Sequence, residues 1–394
     1  MDGNRKVILH IICDSIMFDK LYPAFESMEG YENRYLFKSI QADIYQFKNL
    51  KDSHKIICAQ SWEEWGAIVG DPKNDIIYFH GLWKDSLRAI DYIRKDAIVM
   101  WFCFGQEIYG NEYGWAPLLP VKVYKPRTFM YVIKHSKSVR SFLSKSLTWM
   151  FPHLYDALQS VRYAVARKRK LHKEMLSRID YAFTPLPIEL DELKRRHPFI
   201  KAKPYCLRKP GPLMPFTFQG KKGHILFDHS SMSNNNHLDL LARMNKLHLD
   251  GRSIYMPLSY GNNELADYLI KNVSFEGAET HFLKEILPQT EYMGLLANCS
   301  HALFGTIRQS GLGTINILLR RGVKIFFFED SIMYKHLKQE GYYVFSIETD
   351  LDDESISTPM TYEMALHNYN LFYQKRGELR DTFQQQLDRI LASV

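Results

Sequence analysis

Short apolar runs alternate with amphipathic stretches along almost the whole chain, and the alternation starts twice. In the first series the apolar runs are residues 7–12, 56–58, 76–79, 98–104 and 182–184, with helical spacing at 62–69 and 82–94 between them. The second series has apolar runs at 224–227, 253–256, 273–275, 301–307 and 323–328, with helical spacing at 237–247, 263–271, 291–299 and 315–320. Strands separated by helices cannot pair as hairpins, so the pattern demands parallel sheets with right-handed crossovers. At 394 residues the chain is too long for one ordinary core, and the two series predict two α/β halves. The expected boundaries are residues 1–203, a linker at 204–220, a second half at 221–360, and polar C-terminal helices over 361–394. The linker rests on four prolines and a glycine between Pro204 and Pro215.

The second half contains a loop of special character. Arg308, Gln309, Ser310, Gly311, Leu312, Gly313 and Thr314 join a strand to a helix, and Gly322 fits the helix stop. Such a loop leaves the first N–H groups of the helix outside its own ladder, with the helix dipole behind them. Arg308 adds a fixed positive charge, so the loop is a candidate cradle for a diphosphate. Two glycines alone are equally what a plain connection would use.

Charge is distributed unevenly. Residues 121–178 hold 14 Lys or Arg against 2 acids, whereas the whole chain is +7, so everything outside this segment is net acidic. Large apolar side chains, Trp149 among them, are interleaved with Arg127 and with the run Arg167, Lys168, Arg169 and Lys170. Cations interleaved with rings suit an anionic membrane surface. They also suit single-stranded nucleic acid, but no nucleic-acid-binding signature accompanies them. A basic helical insertion facing solvent is the plain alternative. The five cysteines are scattered, without metal-ligand spacing, and read as small apolar residues of a reducing compartment. No run approaches the ~20 apolar residues of a membrane span, so a soluble or peripheral protein is expected.

Four more polar clusters fall where apolar runs end. They are Phe79-His80-Gly81, Gly105-Gln106-Glu107, the stretch 228–237 (DHSSMSNNNH) and the stretch 257–264 (PLSYGNNE). In parallel α/β halves ligands gather at the carboxyl ends of strands. Any one cluster could be turn chemistry, since Ser, Asn and Gly are turn residues; five in that position point to a binding cleft. His80 and Glu107 are the candidate bases among them.

Taken in order, His80-Gly81, Trp101 with Gly105, Glu107 and Tyr109, Ser230 with Asn235 and His237, Pro257 with Tyr260 and Asn262-Asn263-Glu264, and Tyr292 with Arg308-Gln309-x-Gly311-x-Gly313-Thr314 make a familiar series. The chain resembles the bacterial 4-acetamido-4,6-dideoxy-D-galactose (Fuc4NAc) transferases, which move Fuc4NAc from a dTDP donor to a lipid-linked saccharide. It departs from them in carrying Glu107 where an aspartate is expected, and in a longer basic segment. The resemblance implies a GT-B fold, two Rossmann-like domains facing across a cleft with a C-terminal helical tail. It implies a dTDP-sugar donor held by Ser230, Asn235, Tyr260, Arg308, Gln309, Ser310, Gly311, Gly313 and Thr314. The acceptor would be a polyprenyl-diphosphate-linked saccharide at the cytoplasmic face of the bacterial inner membrane, met by the basic segment. Glu107 would serve as general base, with His80 as second candidate. No DxD motif is evident near a strand end, so no metal and no cofactor beyond the donor are expected. A nucleotide-sugar epimerase or hydrolase of the same fold, and a non-catalytic membrane scaffold, are the competing readings.

Overall fold

The computed structural model describes residues 5–41, 47–109, 118–119, 121–136, 143, 146, 149–151, 154, 167–207, 215–218, 220–378 and 382–393. The chain forms two compact units. The first comprises Met1–Leu119, Asp156–Lys209 and Asp381–Val394, the second Pro120–Tyr155 and Pro210–Arg380.

The first unit is built on β1 (Lys6–Ile12), β2 (Tyr31–Phe37), β3 (Ile56–Ile57), β4 (Asn74–His80), β5 (Ile98–Phe102), β6 (Tyr181–Phe183) and β7 (Lys203–Pro204). Every pairing is parallel, in the order β3-β2-β1-β4-β5-β6-β7. The second unit holds β8 (His224–Phe227), β9 (Arg252–Pro257), β10 (Ala278–Leu283), β11 (Cys299–Phe304), β12 (Lys324–Phe327) and β13 (Phe345–Ser346), also all parallel, in the order β10-β9-β8-β11-β12-β13. In each sheet the strand order reverses once, between β1 and β4 and between β8 and β11. Those reversals open a crevice at the strands' carboxyl ends, where such sheets hold ligands.

Both sheets carry the near-continuous apolar strands that burial on two faces requires. All six residues of β11 and all four of β12 are buried. Ile225, Phe227, Ile254, Met256, Leu303 and Phe326 meet the helices of the second unit in one core.

Four expectations change. The basic segment is divided between the units, because backbone N–H groups at its start are bound by the second unit's side chains. Lys125 N donates to Asn236 Oδ1 at 2.8 Å, and Arg127 N and Thr128 N donate to the two oxygens of Asp239. Tyr131 and Val132 on the Pro126–Lys134 helix complete the second core. The C-terminal helices also part company. Tyr362–Glu378 stays with the second unit, whereas Phe383–Ala392 buries Leu387 and Ile390 among Ile8, Tyr78 and Met100 of the first. Finally, the strand expected at 273–275 is instead Ala278–Leu283, and of the helix expected at 82–94 only a 3-10 segment, Ser86–Asp91, forms. Among the described residues no helix is long and apolar enough to cross a membrane, and none of the five cysteines is in a disulfide.

Candidate functional site

The second sheet's crevice is lined by the segments that follow β8 and β11. After β11 the chain passes through Gly305 and Thr306 to Arg308, and Gly311 caps the Leu312–Arg320 helix with φ of +67°. The first helical hydrogen bond is Ile315 N to Gly311 O at 2.9 Å. The N–H groups of Leu312, Gly313 and Thr314 therefore lie outside the helical ladder, as helix starts dictate. Thr314 Oγ1 is 3.1 Å from the Tyr292 hydroxyl, and Thr306 Oγ1 donates to Arg308 O. Arg308, Gln309 and Ser310 are half-buried, whereas Gly313 is exposed.

The segment after β8 turns on Asp228, which adopts φ of +61°, a conformation Asp tolerates better than most residues. That turn folds its carboxylate back, so Oδ1 accepts from His229 N at 2.7 Å and Oδ2 from Gly305 N at 3.0 Å. Asp228 thereby ties the two sides of the crevice together. His229 Nδ1 stands 2.6 Å from Asp228 Oδ1, at ion-pair distance though off the hydrogen-bond line. On its other edge His229 Nε2 is 2.9 Å from Ser310 Oγ. A Cβ on Gly311 would lie 3.0 Å from this ring, so the glycine makes room for the imidazole as well as for the turn.

Ser230 and Asn235 are fully buried, and Asn235 Nδ2 donates to both O and Oγ of Ser230. This pair braces the loop, Ser230 also reaches the Tyr260 hydroxyl, and Asn235 Oδ1 is left buried without a partner. Tyr260 is 52% exposed, its ring centroid 6.3 Å from that of His229. The crevice thus brings together Tyr260, Ser310, Gly311 and Thr314 of the expected residues and adds Asp228, His229 and Tyr292. The Asp-His pair stood in the sequence beside Ser230, but its partner Ser310 is 81 residues away, a separation no local pattern reveals.

In the first unit, Glu107 is buried and accepts three hydrogen bonds. Oε1 takes Leu82 N and Trp101 Nε1–H, and Oε2 takes Phe104 N at 2.6 Å. It joins the loops after β4 and β5. Burial pushes its pKa up to about 7, against the pull of those donors. His80, at the end of β4, is also buried. Asn33 Nδ2 donates to Phe25 O, which turns Asn33 Oδ1 toward His10 Nε2 at 2.9 Å and fixes the proton there. His10 Nδ1 then accepts from His80 Nε2–H at 3.0 Å, and His80 Nδ1 is left as a buried lone pair without a partner. Burial lowers His10 to about 4 and holds His80 well below the usual range.

Within the basic segment, Trp149 stacks on Phe129 with centroids 4.2 Å apart and donates its indole N–H to Tyr124 O. That commits the ring to the second unit's own packing. Arg127 is exposed, as are Met130, Leu143, Met150, Phe151 and Leu154, each by half or more for the apolar residues. Arg167, Lys168, Arg169 and Lys170 form the first turn of the Arg167–Arg178 helix, in the first unit.

Residues 213–385 match the family described as 4-alpha-L-fucosyltransferase, glycosyl transferase group 56. Among solved structures, the chain is similar to sucrose-phosphate synthase from Thermosynechococcus elongatus, at TM-score 0.56 and 10% identity, over 99% of this chain and 100% of that one. It is similar to the N-terminal domain of trehalose-6-phosphate phosphatase from Candida albicans, at TM-score 0.54 and 10% identity, over 99% and 96%. It is also similar to the lipopolysaccharide outer core galactosyltransferase WaaB, at TM-score 0.50 and 8% identity, over 94% and 97%. At such identities the structures establish the fold, that of GT-B glycosyltransferases. The group 56 match lies within the second half of the chain and likens that part to a family of glycosyltransferases.

Proposed function

We propose that this glycosyltransferase moves a deoxyamino sugar, Fuc4NAc or a close relative, from a dTDP-sugar to a polyprenyl-diphosphate-linked saccharide during bacterial surface polysaccharide synthesis. The observation that carries the reading is the Arg308–Thr314 loop. It sits at the strand-order reversal of the second sheet, opens a helix of nine residues, and lies inside the matched family region. Arg308 and the N–H groups of Leu312, Gly313 and Thr314 hold the diphosphate and offset the charge that grows on it as the sugar departs. Tyr260 and Tyr292 border the same crevice and contact the nucleotide or sugar. A cation and a helix start together do what a divalent ion does elsewhere, so the reaction needs no metal.

On the acceptor side, Glu107 takes the proton of the attacking hydroxyl. Its pKa near 7 suits a base at neutral pH, and Oε2 carries one hydrogen bond where Oε1 carries two. His80 is the poorer candidate, since its conjugate acid is too strong to hold a proton at neutrality. The exposed apolar residues Met130, Leu143, Met150, Phe151 and Leu154, with the cations of the same segment, support a peripheral position on the anionic cytoplasmic face of the inner membrane.

The test is thermal stabilisation by dTDP, UDP, GDP, ADP and CMP, each in EDTA. A nucleotide at about 100 times its Kd adds roughly 2.7 kcal/mol to the folded state, and dTDP alone is expected to do so. A selective shift with UDP or GDP overturns the donor, and a shift that appears only after Mg²⁺ is added overturns metal independence. No shift with any nucleotide favours a non-catalytic scaffold.

A further inference from the structure

Asp228, His229 and Ser310 form a continuous chain beside the diphosphate loop, and nothing in the activity proposed above assigns it a task. We infer that it is a proton relay to the leaving group: binding of a diphosphate charges His229, and Ser310 hands that proton to the departing phosphate oxygen. The inference rests on the diphosphate reading of the Arg308–Thr314 loop.

The geometry carries three steps. Asp228 is fully buried with φ of +61°, and its carboxylate is fixed by the N–H groups of His229 and Gly305. At 2.6 Å from that carboxylate, though off its hydrogen-bond line, His229 Nδ1 is the ring nitrogen that carries the hydrogen, because a bare lone pair so close to a carboxylate oxygen would be repelled. Nε2 is thereby the edge that exchanges a proton, and its neighbour at 2.9 Å is the hydroxyl of Ser310. Ser310 immediately precedes the helix cap Gly311, and Gly311 lacks the Cβ that would displace the ring.

A dianionic sugar diphosphate on this loop adds negative charge a few ångströms from a ring already facing a carboxylate. The imidazolium form is then favoured. As the bond between the anomeric carbon and the diphosphate oxygen breaks and the bond to the acceptor oxygen forms, Ser310 gives its hydroxyl proton to the leaving phosphate and takes the Nε2 proton of His229. The acceptor's own proton goes to the base. Charge balances: a donor dianion, an imidazolium and a base carboxylate become a monoprotonated diphosphate dianion, a neutral imidazole and a protonated carboxyl. In this arrangement Ser310 is the catalytic residue and His229, acting through it, a positioning and relay residue.

Other ionisable groups around the cluster are His237 at the start of its helix, Tyr260 after β9, Tyr292 opposite Thr314, and Arg308 in the loop. Burial moves both tyrosines up and His237 down, out of the range from pH 7 to 9. Proton uptake in that range therefore reports His229.

The experiment is titration calorimetry of the full chain with dTDP-glucose, whose diphosphate diester neither gains nor loses a proton between pH 7 and 9. Buffers of different ionisation enthalpy give the number of protons taken up. For the unaltered protein we expect uptake approaching about one proton, and affinity falling up to about tenfold per pH unit between pH 7 and 9. H229Q should bind with no uptake and little pH dependence, and S310A should bind with uptake cut by about half or more. D228N, which keeps the left-handed turn but sets its amide NH₂ against one of two N–H donors, should lose most of the uptake if His229→Gln fails to fold. Binding without uptake, or uptake unchanged in H229Q or D228N, overturns the relay and leaves the diphosphate site standing. Failure of the unaltered protein to bind either dTDP-glucose or dTDP overturns the site and the relay with it.

Discussion

Each unit buries a histidine where its strand order reverses, and the two are partnered in opposite ways. In the first unit His80 leans on His10, and the chain ends on the amide oxygen of Asn33. In the second, His229 stands between the carboxylate of Asp228 and the hydroxyl of Ser310. An amide can orient an imidazole but carries no charge to stabilise a cation. Burial outweighs the Asn33 hydrogen bond and the Glu26 charge, and His10 falls to about 4 with His80 well below its usual range. His229 meets a carboxylate and a hydroxyl instead. The same ring type is set among neutral partners in one place and beside a charge in the other.

The largest consequence concerns stability in acid. For His10 the folded pKa lies below the unfolded value of 6.5, so its contribution is present above pH 6.5 and is lost as pH falls toward 4. That one group accounts for about 3 kcal/mol across the window, and His80 acts in the same direction. Glu107 has the opposite sign. Its folded pKa near 7 exceeds its unfolded 4.5, so its contribution is full below 4.5 and is lost as pH rises through 7. Unfolding followed by tryptophan fluorescence, which reports the first unit through Trp65, Trp83 and Trp101, should show stability falling between pH 6.5 and 4, less steeply than two histidines alone would give. Glu107→Gln removes the opposing group and should steepen the fall. It should also destabilise by about 1–3 kcal/mol at neutral pH, because the amide NH₂ must face an N–H donor. An unchanged slope in that variant would show that Glu107 is ionised like an ordinary surface carboxylate.

How far these differences could be read beforehand follows from how each is encoded. The parallel α/β halves, the strand-loop-helix unit around residues 308–314 and the position of all five polar clusters at strand ends come from local periodicity and turn chemistry, and the sheets bear them out. β2 escaped because its polar residues are satisfied at a distance: Asn33 by His10, and Arg34 by Asp71 and Asn74. β10 escaped because, as a half-buried edge strand, its AETHFL sequence never reads as an apolar run, whereas Phe275 before it enters the core from a loop. The division of the basic segment rests on Asn236 and Asp239 capturing the backbone around Lys125–Thr128, more than a hundred residues earlier. Glu107 was legible as a buried carboxylate between two loops only once Leu82, Trp101 and Phe104 were seen to converge on it. Periodicity encodes elements, and partners far apart in the chain become visible only in three dimensions.

The contrast between the two histidines can be broken at Gly311. Alanine there meets a φ of +67° and places a Cβ 3.0 Å from the His229 ring. The backbone term costs about 1–2 kcal/mol, and the ring must leave either Asp228 or Ser310. We expect Gly311→Ala to lower the melting temperature and, in the same protein, to abolish the proton uptake on donor binding. A variant that is destabilised yet still takes up the proton would show that the relay does not depend on the ring's position.

Two residues on, Gly313 gives the smallest effect and the one of opposite sign. It lies in the first turn of the helix, is exposed, and a Cβ there would meet nothing within 4 Å. Replacing a helical glycine by alanine stabilises by roughly 0.5–1 kcal/mol, so nothing in the protein alone calls for glycine at this position. If the N–H groups of this turn hold a diphosphate, the added methyl obstructs its approach. Gly313→Ala should therefore melt slightly higher than the unaltered protein while its affinity for dTDP falls, and both are read from one thermal titration. A variant that gains stability and binds dTDP as well as before would place the diphosphate elsewhere in the crevice and leave Gly313 to chance.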